Sequence, residues 1–358
     1  MLLPIYVMHM DELPQSPDEE EQVQVRTLAD LAKLAGVSTG TVSRALAGSK
    51  LVKARTREKI QSMAREHGFR PNQMASKLRT QRTGIIGVVI PLGHELKQHI
   101  SDPFFIKLIG HLADELTENG YQLLLSRAIP SETPDWLDRI CGSGMVDGVI
   151  VIGQSDQFDA IEECAKTYPK MVIWGAHRAG QHQCTVGTDN VKGGAIAARR
   201  LIDAGARKLA FFGFHTGIEI ADRLAGARQV ADEAGVSFMH LPCHMSDDLI
   251  ESELREHLAI HADNIDGIIT ASDLIATHAV HILGGMGRSV PGDIQVIGFD
   301  DLPLSSRTQP PLSSIRQDIE RGAKEMVAKL LDAIAGRTIE PLIMEPSLID
   351  RGTTLPLR

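Results

Sequence analysis

Within the nine residues Thr39–Ala47, four residues face outward where they can meet the edges of DNA bases: Thr39, Gly40, Ser43 and Arg44. An arginine can present two parallel N–H donors to O6 and N7 of a guanine, worth ~1–3 kcal/mol of discrimination. Thr39 offers a methyl to thymine and a hydroxyl to a base edge, and Gly40 allows close approach without a side-chain contact. The rival role for Arg44 is a phosphate contact with no sequence preference. A second set of residues follows apolar runs that read as strands. Asp273 comes after 267–272, Asp300 and Asp301 after 295–299, Asp189 after 185–187, and Arg223 opens a helix after the loop that follows 209–212. Carboxylates and a guanidinium beside a cleft can each make two directed hydrogen bonds to vicinal hydroxyls. Phe104, Phe105 and Trp174 can pack on the apolar face of a sugar. Each has a plainer reading: helix caps for Asp189, Asp273 and Asp300, core for Trp174, and a surface pair with Asp222 or Glu219 for Arg223.

The base-reading residues need a helix, and the pattern supplies one. Leu28, Leu31, Ala32 and Ala35 recur at helical spacing. Gly36 suits a helix end, Val37 anchors a turn, and Ser38 is a good N-cap for a second helix that buries Val42, Ala45 and Leu46. A short basic helix follows. Residues 27–83 hold 12 Lys and Arg against 3 Asp and Glu, although the whole chain carries a net charge of −9. A basic module on an acidic body localises a polyanion contact to one end. The alternative is three ordinary amphipathic helices with solvated cations. Residues 1–26 hold six acids and one arginine and read as a disordered acidic tail.

The hydroxyl-pairing residues need parallel strands. From Gly84 onward, apolar runs such as Gly84–Pro91, Gly148–Ile152 and Gln295–Phe299 alternate with helical patterns, for example 104–119, 191–204 and 222–234. That rhythm predicts two parallel sheets with helices on both faces, and ligands beyond the carboxyl ends of the strands. The 358 residues suffice for two to three domains. Cys141, Cys164, Cys184 and Cys243 have no zinc-like spacing and read as isolated thiols. No phosphate loop, nucleophile elbow or paired-histidine zinc motif is present. This counts against an enzyme, and no cofactor is called for. No apolar run reaches membrane-spanning length, and the N-terminus lacks the features of an export signal, so the expected location is the cytoplasm.

At this point the chain resembles the lactose/galactose repressor family of bacterial transcription factors. The carrying residues are Leu28-Ala29-Asp30-Leu31-Ala32, Ala35-Gly36-Val37-Ser38, Thr41-Val42-Ser43-Arg44, Thr56-Arg57 and Pro71-Asn72 with Ala75 and Leu78. The resemblance implies an all-α helix-turn-helix DNA-binding domain over 27–71, a hinge helix over 72–83, and an α/β domain over 84–358 like the periplasmic sugar-binding proteins. The two parallel-sheet subdomains of that last domain would hold 84–187 with helix 317–336, and 188–316 with the final stretch 338–358. Thr39, Gly40, Thr41, Ser43, Arg44, Thr56, Asn72, Ala75 and Leu78 are the implied DNA contacts. Ala75 would let paired hinges pack closely, and Leu78 would wedge between base pairs from the minor groove. The Arg223-Leu224-Ala225-Gly226 segment matches the family's inducer-contacting motif, Asp300 its aspartate after a strand, and Asp102-Pro103-Phe104-Phe105 its cleft rim. Ser272-Asp273 stands where the family often has Asn-Asp, and Gly175 where it often has Asp, a contact that His177 or Arg178 could replace. The implied effector-binding set is Phe105, Trp174, Arg223, Ser272, Asp273 and Asp300.

The expected function is therefore a homodimeric regulator of operator DNA, a repressor of carbohydrate-utilisation genes under a sugar effector. The alternative of the same fold is a regulator corepressed by a purine or another metabolite, which would lean on aromatic stacking. With 4% aromatics the sugar is favoured. A stand-alone transport protein is opposed by the basic module, and an enzyme by the missing catalytic set.

Overall fold

The computed structural model describes residues 25–69, 82–92 and 98–357. The chain divides into two compact units, 1–81 and 82–358. The expectations for residues 1–24 of the acidic tail and for Asn72, Ala75 and Leu78 lie outside the described residues; Val25, expected in that tail, is instead buried in the core of the first unit because it packs beside the start of α1.

The first unit holds helices α1 (Leu28–Ala35), α2 (Thr39–Leu46) and α3 (Ala54–Glu66). Thr27 caps α1 reciprocally: its hydroxyl accepts from Asp30 N at 3.2 Å, and the Asp30 carboxylate accepts from Thr27 N at 2.8 Å. Gly36 ends the helix at φ 68°, a left-handed conformation that costs other residues more. Ser38 Oγ then accepts from Thr41 N at 3.2 Å and starts α2. Leu31, Val42 and Ala45 are wholly buried with Ile60, Ala64 and Phe69. Truncating Leu31 to Ala would cost about 2–5 kcal/mol, a large part of the stability of so small a unit.

The second unit contains two six-stranded sheets. The first is formed by β1 (Ile85–Pro91), β2 (Gln122–Ala128), β3 (Gly148–Ile152), β4 (Met171–Trp174), β5 (Cys184–Thr188) and β11 (Leu342–Met344), in the order β11-β5-β4-β3-β1-β2. The second has β6 (Lys208–Phe212), β7 (Ser237–Leu241), β8 (Gly267–Thr270), β9 (Gln295–Asp300), β10 (Ser313–Arg316) and β12 (Ser347–Ile349), in the order β12-β10-β9-β8-β6-β7. Every pairing is parallel except that of β10 with β12. The helices are α4 (Pro103–Glu118), α5 (Trp136–Cys141), α6 (Phe158–Thr167), α7 (Asn190–Asp203), α8 (Ile218–Glu233), α9 (Asp247–His261), α10 (Asp273–Gly285) and α11 (Ile319–Ile334). The α11 side chains Ile319, Ala323, Met326 and Leu330 join the core of the first sheet, so the chain crosses back as the family resemblance implies.

The final stretch departs from expectation. It was assigned to the second subdomain, yet β11 pairs with β5 of the first sheet and only β12 joins the second. Met344 is buried among first-sheet side chains, and three-residue strands are too short for a periodicity to show which sheet they join. The α7–α8 contact depends on glycine: a Cβ on Gly194 would lie 1.9 Å from Arg223 O, and one on Gly226 would lie 1.8 Å from Val191 O. This close approach seats α8, and with it Arg223, beside the second sheet.

Candidate functional site

In the first unit, Thr39 and Arg44 are exposed on α2 and Gly40 is half-buried. Arg44 Nε donates to Gly40 O at 3.1 Å, so the side chain lies back along the helix. That bond uses one of the five guanidinium donors and leaves the fork at the end of the side chain. The Thr41 hydroxyl is engaged 2.9 Å from Ser38 Oγ, which makes it part of the helix cap. Ser43 is half-buried on α2, and Thr56 is half-buried in the first turn of α3.

In the second unit the carboxyl ends of both sheets border one solvent-open cleft. It is lined from the first sheet's side by Leu92, Gln98, Phe104, Phe105, Ser155 and Trp174, and from the second by Glu219, Arg223, Ser272 and Asp300. Gln317, at the start of the crossover to α11, also lines it. Five of the six residues assigned from the sequence thus line one space: Phe105, Trp174, Arg223, Ser272 and Asp300.

Arg223 is buried and held on every side. Its Nε donates to Asn190 Oδ1 at 2.9 Å, Nη1 donates to Ala271 O, and the guanidinium lies 3.8 Å from the Phe299 ring centroid. Asp300 Oδ1 sits 4.0 Å from Arg223 Nη1 and accepts from Gln317 Nε2 at 2.6 Å. Asp300 and Asp301 both have positive φ, 114° and 52°, unusual for non-glycine residues and typical of sites where surroundings enforce strain. The enforcing contacts are visible. Arg316 and Arg351 each bond the Asp301 carboxylate, at 2.7 and 2.6 Å, and Asp301 N donates to Ser314 Oγ at 3.0 Å. Burial pushes the Asp300 carboxyl up to about 8, against the pull of nearby Arg223. Burial likewise lowers the Arg223 guanidinium and raises the Glu219 carboxyl.

Asp273 corrects the sequence reading. Its Oδ2 accepts from Leu302 N at 2.8 Å and Ser305 Oγ at 2.5 Å, and its Oδ1 accepts from Ser314 Oγ at 2.6 Å. The carboxylate ties α10 to the turn after β9 and is not among the cleft-lining groups. Both aspartates lie near the carboxyl end of a strand, but Asp273 opens α10 three residues past β8 while Asp300 is the last residue of β9, and tertiary contacts turn the Asp273 side chain away from the cleft. Ser272 is the N-cap of α10, accepting from Ile275 N at 3.4 Å. Asp189 is a cap too, bonded by Lys192 N at 2.9 Å. Trp174 combines both readings: it packs edge-on to Phe104 at 5.8 Å and lines the cleft, while its other edge is so close to α11 that a Cβ on Gly322 would lie 2.3 Å away.

Two contacts cross the mouth of the cleft. Arg178, in the loop after β4, makes a bidentate pair with Asp222 of α8, Nη1 to Oδ2 at 2.9 Å and Nη2 to Oδ1 at 2.7 Å. Gln154 N, after β3, donates to Glu219 Oε1 at 3.0 Å. Arg178 therefore binds the opposite lobe and does not stand in for an aspartate at Gly175, where a Cβ would collide with the Gln154 side chain at 2.6 Å. Sequence reasoning missed Glu219 as a cleft group, Gln317 and this clasp. Gln317 follows a four-residue strand that no pattern marked, and the Arg178–Asp222 pair spans 44 residues.

Comparison with known proteins supports the same architecture. Residues 27–72 match the family described as bacterial regulatory proteins, lacI family, and residues 198–354 match the periplasmic binding protein-like domain. The HTH-type transcriptional regulator CelR of Thermobifida fusca is 31% identical over 337 residues, covering 91% of this chain and 97% of that protein. The ribose operon repressor of Lactococcus lactis is 30% identical over 315 residues, covering 86% and 91%. Among solved structures, a CelR–cellobiose complex aligns with TM-score 0.65 at 30% identity over 91% of this chain and 99% of that one. The lac repressor dimer bound to operator aligns with TM-score 0.79 at 23% identity over 92% and 99%, a likeness of fold. Among the described residues no helix is long and apolar enough to cross a membrane. With a lacI-type helix-turn-helix unit followed by a two-sheet binding domain, the chain belongs to the lacI family of bacterial transcriptional regulators.

Proposed function

We propose that this regulator is a cytoplasmic, homodimeric repressor of carbohydrate-utilisation genes whose operator affinity is set by a sugar held in the cleft of residues 84–358. The observation that carries the reading is the composition of the cleft. A buried Arg223, Asp300, Gln317 and Ser272 stand on one side and the Trp174, Phe104 and Phe105 rings on the other. Paired directed donors and acceptors facing aromatic surface suit a pyranose, whose ring carries equatorial hydroxyls around an apolar face. The relatives bearing the names ribose operon repressor and CelR, the latter solved with cellobiose, support a saccharide.

Residues 27–71 are assigned to operator binding, with base contacts from Thr39, Gly40 and Arg44 and further contacts from Thr41, Ser43 and Thr56. Residues 72–83 are assigned to a DNA-contacting hinge helix that Asn72 caps, in which Ala75 lets paired hinges pack closely and Leu78 wedges into the minor groove. A second copy is needed because one recognition helix reads only a few base pairs. Edge strand β2 exposes Leu124 and Leu125, and neighbouring α4 exposes Ile106, an apolar surface suited to a symmetric partner. A ligand touching both lobes favours a closed cleft, and it can shift the protein only by its differential affinity for the two states.

A calorimetric screen of mono- and disaccharides, cellobiose included, tests this alongside fluorescence anisotropy on operator DNA. The expected result is one sugar that binds and changes operator affinity. Binding of a purine base or nucleoside with no sugar response would replace the proposal with a corepressor that stacks on the Phe104–Trp174 pair.

A further inference from the structure

Away from the cleft, one pair of side chains has reactive chemistry that effector binding leaves unused. Cys141 is the last residue of α5 and Cys164 lies in α6, and their Sγ atoms are 3.7 Å apart, within thiol–thiol hydrogen-bonding distance. Read as isolated thiols from their spacing, these two are neighbours because α5 and α6 pack over the same face of the first sheet. Cys184 lies on β5 and Cys243 beyond β7 of the other sheet. Cys141 is half-buried, and Cys164 lines a surface cavity with Trp136, Leu137, Asp138 and Ala160. A disulfide has S–S near 2.05 Å, so the sulfurs need to approach by roughly 1.7 Å, within reach of side-chain rotation. The hydrogen-bonding contact with Cys141 lowers the Cys164 thiol below its ordinary value, while burial and the nearby Asp138 carboxylate oppose its ionisation.

We propose that Cys141 and Cys164 form a reversible oxidation site, closed to an intramolecular disulfide by a hydroperoxide and reopened by a dithiol reductant. Cys164 thiolate attacks the outer peroxide oxygen. An S–O bond forms, the O–O bond breaks, and the departing alkoxide takes a proton to leave as an alcohol, or as water from hydrogen peroxide. Cys141 then attacks the sulfenic sulfur, forming S–S and breaking S–O, and the released hydroxide leaves as water with the Cys141 proton. The sulfur pair loses two electrons and the peroxide gains them.

The pair sits next to the entry of the chain into the effector domain. Six residues beyond Cys141, the Asp147 carboxylate accepts from Thr83 N at 2.6 Å and from Gly84 N at 2.8 Å. Burial pushes the Tyr168 hydroxyl up to about 12, and negative charge on Cys141, Asp147 or Cys164 would raise it further. Disulfide closure therefore acts on the short 142–147 segment that carries this clamp.

The test uses the full chain, with hydrogen peroxide as oxidant and free thiols counted after acid quench and denaturation. The free-thiol count is expected to fall from four to two and to recover with dithiothreitol, and mass spectrometry should link the peptides holding Cys141 and Cys164. In Cys141→Ser, dimedone should trap a sulfenic acid on Cys164 and no disulfide should form. Amide exchange at Thr83 and Gly84 should change on oxidation of the wild type and not of Cys141→Ser. Four surviving thiols, a disulfide joining two chains, or the same two-thiol loss in Cys141→Ser would overturn the site. Unchanged exchange at Thr83 and Gly84 would overturn the connection to the chain entry.

Discussion

The clasp between Arg178 and Asp222 allows a quantitative test of cleft closure. The perturbations are Arg178→Gln, Asp222→Asn and the double variant. The pair is bidentate, at 2.7 and 2.9 Å, with the Asp222 side chain 16% exposed and that of Arg178 41% exposed. An exposed ion pair contributes ~0.2–1 kcal/mol, and parallel hydrogen bonds to a mostly buried carboxylate place this one near ~1 kcal/mol. Such a loss from the closed state shifts the open–closed equilibrium by a factor of about five. Effector affinity can fall by no more than that factor, because affinity scales with the fraction of binding-competent protein. The backbone bond from Gln154 to Glu219 remains in all three variants, so closure is weakened and not abolished. Titration calorimetry on the sugar returned by the screen should show each single variant binding up to about fivefold more weakly. The double variant should be no worse than either single variant, which gives a coupling energy of ~1 kcal/mol. Strictly additive losses, or wild-type affinity in both single variants, would refute the role of the clasp in closure.

The remaining predictions concern the buried ion pair and the recognition helix. Because the Asp300 carboxyl is pushed up to about 8 in the fold, from an ordinary value of 3.8, its contribution to stability is full below about pH 4 and is lost as pH rises through about 8. Chemical denaturation across pH 5–9 should therefore show a decline that Asp300→Asn flattens. Sugar hydroxyls donate more strongly to this group when it is ionised, so effector affinity should rise over the same interval, with proton release measurable by calorimetry in two buffers. Arg223→Ala strands Asn190, Ala271 O and Asp300 together, so it should both abolish the effector response and destabilise the domain by about 3–5 kcal/mol, seen as a lower Tm. A variant with unchanged Tm would contradict the packing described for this arginine. Arg44→Ala, assayed against an operator library, should relax preference at one base position at a cost of ~1–3 kcal/mol. A uniform loss across all sequences would assign Arg44 to phosphate.

Local rules made much of this protein legible in its sequence. Helix caps act over three or four residues, so Gly36 and Ser38 marked the ends of α1 and α2, and helical spacing marked Leu31, Val42 and Ala45 as core. Strands β3, β4 and β8 were bounded to the residue because fully buried parallel strands are nearly unbroken apolar runs. Arg223, Asp300 and Trp174 were legible as cleft residues because a parallel sheet brings the residues after its strands to one edge. What the tertiary structure alone decided concerns direction and distance. Asp273 and Asp300 both lie at strand ends in the sequence pattern, yet Ser305, Ser314 and Leu302 N turn the first carboxylate inward, while the positive-φ backbone at Asp300 and Asp301 accompanies the second where it lines the cleft. The clasp joins residues 44 apart, the two thiols are 23 apart, and β11 and β12 go to different sheets although only two residues separate them. No periodicity encodes such pairings, because they depend on which surfaces meet once both sheets have closed their cores.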